Sequence, residues 1–156
     1  MRKQFLKYIV VPLVILFVAI QFFHPDKNEG EMKLVPFLAD TNASSEVGNI
    51  IKNACADCHT NSTKYPWYSK IAPISFKMAA HVIEGKEELN FSEWQSYSVK
   101  KKDHKLEEII EVLDEKEMPL KSYLLMHNEA RLSNEQVKMI KNWATTKRKA
   151  YQQRLK

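Results

Sequence analysis

The sequence predicts an all-α protein, with an N-terminal transmembrane helix followed by a small helical domain. Apolar residues recur at helical spacing in several segments, and no segment shows the alternation of a half-buried strand. The chain has only 3 glycines in 156 residues, too few for a turn-dense β sandwich. Its length corresponds to one domain, and its 44% hydrophobic residues exclude a wholly disordered chain.

The first helix is predicted from an uncharged apolar run over residues 8–23. Arg2, Lys3 and Lys7 precede the run, and acidic residues follow it. A spanning helix needs about 17–25 residues, and positive charges favour the cytoplasmic side. We therefore expect a single-pass anchor in the cytoplasmic (inner) membrane over residues 1–23, with the rest of the chain in the periplasm. A cleaved signal peptide is the alternative, although the run ends without a small-x-small cleavage site.

The next two segments differ in periodicity. Residues 24–44 are polar, contain several helix breakers and are predicted to form a tether. Ser44 or Ser45 can cap the following helix. That helix carries its apolar residues at helical spacing over residues 47–54 and runs directly into Cys55.

Three further helices are predicted downstream, and a short helix that starts at Ser92 and carries Trp94 is left open, so the domain has four or five helices. Pro73 fits the first turn of one helix, and Gly85 fits its carboxyl-end cap. Residues 106–113 carry apolar side chains at positions i, i+3, i+4 and i+7, which indicates a helix with one buried face. Ser133 and Gln136 form a capping box that opens the last helix.

Basic residues are concentrated at the two ends of the chain. The net charge is +5, but much of it lies before the apolar run and in a predicted basic tail over residues 147–156. A nucleic-acid-binding protein carries its basic groups on one folded face, so we expect no nucleic-acid partner. Residues 45–146 remain as the helical domain.

Five consecutive residues, Cys55-Ala56-Asp57-Cys58-His59, carry the clearest chemical signal. C-x-x-C-H is the attachment motif of c-type haem. Each thiol can add to a vinyl group of one porphyrin, and the histidine then binds the iron. The motif holds the only cysteines in the chain. We therefore predict one covalently attached haem c, with Cys55 and Cys58 as attachment residues and His59 as the proximal iron ligand.

Three other interpretations of the motif compete with haem attachment. A thioredoxin-like redox pair would need a βαβ context, which the sequence lacks. A structural zinc site would need a fourth ligand, usually from a second Cys/His pair. A disulfide between Cys55 and Cys58 would close only a tiny loop and contribute little stability.

The segments around the motif resemble a known family. They read Y-P-W-Y at residues 65–68, H-V-x-x-G-x-x-x-x-N-F-S-x-W at residues 81–94 and M-P-L-x-S-Y at residues 118–123. Together with C-x-x-C-H they resemble the bacterial haem-binding-domain family over residues 25–146. That family consists of small membrane-anchored or exported proteins similar to c-type cytochromes. The resemblance implies a cytochrome c-like helical haem domain, but it does not specify a reaction.

A second iron ligand is expected downstream. Met118 is the first choice, because it lies in a break between helices and precedes Pro119, like the distal-ligand loop of small cytochromes c. A thioether ligand favours ferrous iron and raises the reduction potential. His81 is the alternative distal ligand. Core packing is the commoner role of both residue types.

Four other residues are predicted to lie near the haem. Trp67, Tyr65 and Tyr123 can wall the haem or hydrogen-bond a propionate. Lys121 can pair with a propionate. Ordinary core packing of the aromatic residues and solvation of the lysine are the alternatives.

These features predict a membrane-anchored monohaem c-type cytochrome that transfers single electrons on the periplasmic side. Its partners would be the lipid membrane and unidentified redox proteins. No acid–base constellation accompanies the motif, so we favour an electron carrier over a peroxidase-like enzyme. A haem-based sensor or small-ligand-binding module with a labile distal ligand is the alternative.

Overall fold

The computed structural model describes residues 2–156, with side chains from residue 4 onward apart from residue 5. The side chains at positions 2 and 3, predicted to flank the anchor, lie outside the described set. Within the described part the fold is all-α, as predicted, and the one strand-like pairing there is an isolated antiparallel bridge between Glu29 and Ser62. The α-helices are α1 Arg2–Ile20, α2 Leu34–Thr41, α3 Ser45–Ala54, α4 Ala56–His59, α5 Ile74–Glu88, α6 Val99–Asp114, α7 Lys121–Leu124 and α8 Asn134–Arg154. Short 3-10 helices cover Trp67–Lys70, Phe91–Ser96 and Asn128–Ala130.

The predicted transmembrane helix over residues 1–23, and with it the single-pass placement in the inner membrane, is wrong. Of the helices that the structure describes, none is long and apolar enough to cross a membrane. Helix α1 ends at Ile20, so its uncharged part after Lys7 extends for only about 20 Å at about 1.5 Å per residue. The hydrocarbon core is roughly 30 Å thick. The amide of Gln21 then exchanges two hydrogen bonds of 3.0 Å with the backbone of Ala72.

The core lies where α6 and α8 pack against each other and against α2 and the 3-10 helix at residues 91–96. Phe37, Trp94 and Leu106 are fully buried there. The rings of Phe37 and Trp94 meet edge to face with centroids 4.9 Å apart. Leu106 belongs to the stripe predicted at residues 106–113, so the sequence pattern identified the buried face of α6 correctly.

A partly buried carboxylate ties this core together. Oδ2 of Asp40, on α2, accepts hydrogen bonds from Nε1 of Trp94 (2.9 Å), Nζ of Lys102 (3.1 Å) and the hydroxyl of Tyr151 (2.6 Å). Burial alone would raise the pKa of Asp40, but these three donors and the charge of Lys102 outweigh it and lower the pKa to about 2. Asp40 therefore stays ionised and links α2, α6, α8 and the 3-10 helix at residues 91–96.

The segments predicted as a tether, residues 24–44, and as a basic tail, residues 147–156, both supply core residues. Helix α2 lies within the first segment and buries Phe37. Helix α8 runs through most of the second segment and buries Tyr151. Neither segment carries its apolar residues at a clear helical period, so no helix was predicted there.

Candidate functional site

The C-x-x-C-H motif forms the junction of two helices. Helix α3 begins after Ser44, whose hydroxyl oxygen accepts the backbone N–H of Val47 at 3.3 Å. It ends at Cys55, which also precedes the single turn of α4. The backbone N–H groups of Cys58 and His59 both donate to the carbonyl of Cys55, at 3.3 and 3.0 Å. The turn therefore fixes the relative positions of both cysteines and the histidine.

Both cysteines are free thiols. Burial raises the pKa of Cys55 to about 12, with a smaller contribution from Cys58. Burial, and secondarily the carboxylate of Asp57, raises the pKa of Cys58 to about 11. Both side chains are therefore protonated at neutral pH. Cys55 packs against the main core, whereas Cys58 lies in the wall of an adjacent cleft.

The imidazole of His59 is oriented by the backbone at the end of α5. Its Nδ1 lies 3.0 Å from the carbonyl oxygen of Leu89, which assigns the proton to Nδ1 and the lone pair to Nε2. Burial lowers the pKa of His59, although the carbonyls of Leu89 and Gly85 oppose this shift. The ring is therefore neutral at neutral pH. Metal-binding histidines commonly donate their second ring N–H to such a carbonyl, so His59 has the tautomer of a ligand that binds through Nε2.

Gly85 allows α5 to approach the motif closely. The prediction that Gly85 caps a helix is wrong, because α5 continues to Glu88. A Cβ at Gly85 would lie 3.1 Å from the carbonyl oxygen and 3.2 Å from the Cβ of Cys58. Any larger residue would therefore push α5 away from the motif.

The loop at residues 60–63, directly after His59, is held by polar side chains from other segments. The carbonyl of Thr60 accepts Nδ2 of Asn28 at 2.8 Å. The backbone N–H of Asn61 donates to Oγ of Ser92 at 3.1 Å, and Oδ1 of Asn61 accepts Nδ2 of Asn90 at 2.7 Å. The loop is thus fixed both by the segment before α2 and by the segment after α5.

A cleft of about 410 Å³ opens beside Cys58. Its walls come from residues 57–68, from α5 over residues 74–82 and from residues 120–126, and most of the lining is apolar. Three of the predicted haem neighbours, Trp67, Tyr123 and His81, line this cleft. The structure therefore brings Cys58, one of the two predicted attachment residues, and these three residues around a common space.

Five predicted site residues do not line the cleft: Cys55, His59, Tyr65, Lys121 and Met118. The hydroxyl of Tyr65 accepts the backbone N–H of Asn28 at 2.5 Å. Lys121 is exposed at the start of α7, and Met118 is half-buried in the preceding loop. Leu120 nevertheless lines the cleft, so Met118 is only two residues from its wall.

A hydrogen-bonded cluster in the cleft wall was missed by the sequence analysis. Nε2 of His127 lies 2.6 Å from the hydroxyl of Tyr68, and Nδ1 lies 2.8 Å from the carboxylate of Glu129. The ring of His127 stacks on the ring of Tyr123, with centroids 4.1 Å apart. The hydroxyl of Tyr123 donates to the carboxylate of Asp57 at 2.8 Å. Burial and this bond raise the pKa of Tyr123. Tyr123 was predicted to lie near the haem, but Tyr68, His127 and Glu129 were not, because Tyr68 is far from the other two in the sequence and no shared period links them.

The donor set at the motif fits a covalently bound haem. The thiols of Cys55 and Cys58 are unoxidised, the lone pair of His59 is preset, and the apolar cleft beside Cys58 can take up a porphyrin face. A thioether bond forms when a thiol adds across a vinyl group, so attachment of either cysteine requires no oxidant.

Comparison with known proteins identifies the family. No curated protein and no solved structure matches the chain. A family model described as the haem-binding domain matches residues 15–146. This range contains the motif, the loop at residues 60–63 and all three walls of the cleft. The chain therefore belongs to the haem-binding domain family.

Proposed function

We propose that the protein is a monohaem c-type cytochrome that carries single electrons. Its family binds haem, and haem supplies one-electron chemistry when bound. One observation carries the proposal: His59, held through Nδ1 by the carbonyl of Leu89 at 3.0 Å, follows directly after two free thiols. In this proposal Cys55 and Cys58 attach the porphyrin, and Nε2 of His59 binds the iron.

Two residues are proposed for the opposite face of the iron. His81 lines the cleft beside Cys58, which supports an imidazole ligand and a lower reduction potential. Met118 precedes the cleft-lining Leu120, so a shift of its loop would bring the thioether to the cleft and raise the potential. The mainly apolar lining excludes water around either ligand, which also tunes the potential.

Covalent attachment is tested on protein made with a cytochrome c maturation system. We expect haem staining after denaturing electrophoresis and a mass one haem above that of the polypeptide. Cys55→Ala and Cys58→Ala should each lose one thioether, and the double variant should lose the stain. Extraction of the haem from the wild-type protein by acid–acetone, with both thiols intact, would refute the proposal.

The distal ligand is tested by comparing Met118→Ala with His81→Ala. A Met118 ligand predicts a weak sulfur-to-iron charge-transfer band in the far red, lost only in Met118→Ala, together with a lower potential. A His81 ligand predicts an unchanged spectrum in Met118→Ala and loss of the low-spin signal in His81→Ala. Electron transfer itself predicts a reversible one-electron titration in the wild-type protein.

A second function, binding of a small ligand at the iron, is favoured by the polar cluster in the cleft. The hydroxyl of Tyr68, bonded to His127 at 2.6 Å, lines the cleft and can hydrogen-bond a bound molecule. A carbon monoxide difference spectrum of the reduced protein separates the two functions. A carrier with two strong ligands resists binding, whereas a sensor binds carbon monoxide and responds to Tyr68→Phe.

A further inference from the structure

Asn28 joins the loop after the motif to helix α5. Its side-chain Nδ2 donates to the carbonyl of Thr60 at 2.8 Å and to Oγ1 of Thr63 at 2.9 Å, while Oδ1 accepts Nζ of Lys86 at 2.7 Å. Its backbone N–H donates to the hydroxyl of Tyr65 at 2.5 Å, and its carbonyl accepts the N–H of Thr63 at 2.9 Å. One half-buried residue thus makes five bonds, all of them to segments that follow the motif.

Two of these bonds reach threonines just after His59, one at the carbonyl of Thr60 and one at the hydroxyl of Thr63. Thr60 follows His59 directly, and its hydroxyl donates to the carbonyl of Ala56 at 2.7 Å. The hydroxyl of Thr63 donates to the carbonyl of Asp57 at 2.5 Å. Asn28 therefore holds the two threonines whose hydroxyl groups donate to backbone carbonyls of α4.

The third side-chain bond reaches Lys86 on α5, three residues before the carbonyl that orients the imidazole. Lys86 is next to Gly85, which contacts Cys58, and the carbonyl of Leu89 accepts Nδ1 of His59 at 3.0 Å. The amide of Asn28 thus spans the space between the backbone that carries His59 and the helix that orients its ring.

We propose that Asn28 is a positioning residue for the proximal iron ligand. Its amide locks the loop at residues 60–63 to α5 and so sets the rotation of the His59 ring about the axis of its bond to iron. This inference rests on the proposed function, because it requires that His59 bind the iron. Histidine orientation governs the electronic structure of the iron, so Asn28 acts on the haem without touching it.

An amide is the group that both contacts require. The Thr60 carbonyl needs a donor, and the Lys86 ammonium needs an acceptor. Asn28→Asp keeps the acceptor and the shape but sets a carboxylate oxygen against the Thr60 carbonyl. Asn28→Leu has a similar size and removes donor and acceptor without adding charge.

The experiment compares both Asn28 variants with the wild-type haem protein. We expect altered g-values in the ferric electron paramagnetic resonance spectrum and a shifted reduction potential in both variants. In the haem-free protein, hydrogen exchange at the Thr63 amide should accelerate about tenfold, the factor for about 1.4 kcal/mol. Asn53→Asp and Asn53→Leu are the matched controls, because Asn53 is exposed on α3 and lies two residues before Cys55. These controls should leave g-values, potential and exchange unchanged.

The outcomes separate the inference from the proposed function. Folded Asn28 variants with covalent haem whose g-values and potential match those of the wild-type protein would overturn the inference alone. A wild-type protein without covalent haem overturns the proposed function. If neither Asn28 variant folds, Lys86→Met is measured against Lys52→Met, an exposed lysine on α3. The inference then requires a shift in g-values with Lys86→Met only, and equal spectra overturn it.

Discussion

The two sides of the C-x-x-C-H motif are held in different ways. On the histidine side, the loop at residues 60–63 is fixed by amide and hydroxyl groups from distant segments, and Thr60 is fully buried. On the cleft side, two hydrogen bonds link residues 118–127 to the rest of the site, one from Tyr123 to Asp57 and one between His127 and Tyr68. Leu125 in this segment is 79% exposed. The position of His59 is therefore fixed by many hydrogen bonds within the polypeptide, whereas few hydrogen bonds hold the opposite wall of the cleft.

The largest expected effect is at Asp40, which supports the histidine side by anchoring Trp94. Its side chain is 24% exposed, and its folded-state pKa of about 2 lies below the unfolded value of about 3.9. It should contribute on the order of 2 kcal/mol to stability, fully present above about pH 4 and lost as the pH falls through about 2.

Asp40→Asn should therefore lower the free energy of unfolding at pH 7 by about this amount and have little effect near pH 2. Urea unfolding at both pH values measures the difference. A loss of equal size at both pH values would show that the charge of Asp40 does not contribute to the free energy of unfolding. The histidine side would then not depend on that charge.

An intermediate effect is expected from Gly30→Ala, next to the bridge between residues 29 and 62. A Cβ at Gly30 would lie only 2.8 Å from the carbonyl oxygen of Asn61, so the loop must shift. We expect a loss of about 1–2 kcal/mol, in the lower part of the usual cost of overpacking, measured by thermal or urea unfolding. Gly48→Ala is the control. There the new Cβ meets a flexible methyl of Leu38 at 3.2 Å, and alanine favours the helix by about 1 kcal/mol.

The smallest global effect is expected from Tyr123→Phe and Tyr68→Phe on the cleft side. Each change removes one hydrogen bond, worth about 1 kcal/mol. Hydrogen exchange in the haem-free protein should accelerate at residues 118–127 and stay unchanged at residues 60–63. Equal acceleration in both segments would mean that the two sides form one cooperative unit, and the contrast between them would disappear.

Local signals in the sequence were sufficient for much of the helical framework. Ser44 caps α3, and the capping box of Ser133 and Gln136 opens α8 as predicted. Both depend on residues within one turn, so they can be recognised without tertiary structure. The motif likewise placed Cys55 and the other site residues on one short segment.

Long-range contacts explain what the sequence could not predict. Asn28 bonds residues that follow the motif, and His127 bonds the hydroxyl of Tyr68, 59 residues earlier in the chain. A polar residue in an irregular segment has no period that would reveal such contacts. Gly85 was taken for a helix cap, because a glycine needed for close approach has the same sequence signature as a cap. The membrane prediction failed because hydropathy gave the extent of the apolar run but not the end of the helix at Ile20.

The position of Tyr151 also bears on how the chain is made. Its hydroxyl completes the set of donors around Asp40, yet Tyr151 is synthesised long after the motif at residues 55–59. The C-x-x-C-H motif leaves the ribosome long before the part of α8 that carries Tyr151 has been synthesised. A nascent chain thus exposes its cysteines in an unfinished fold, and truncation before Tyr151 should yield a polypeptide that keeps the motif but fails to enclose it.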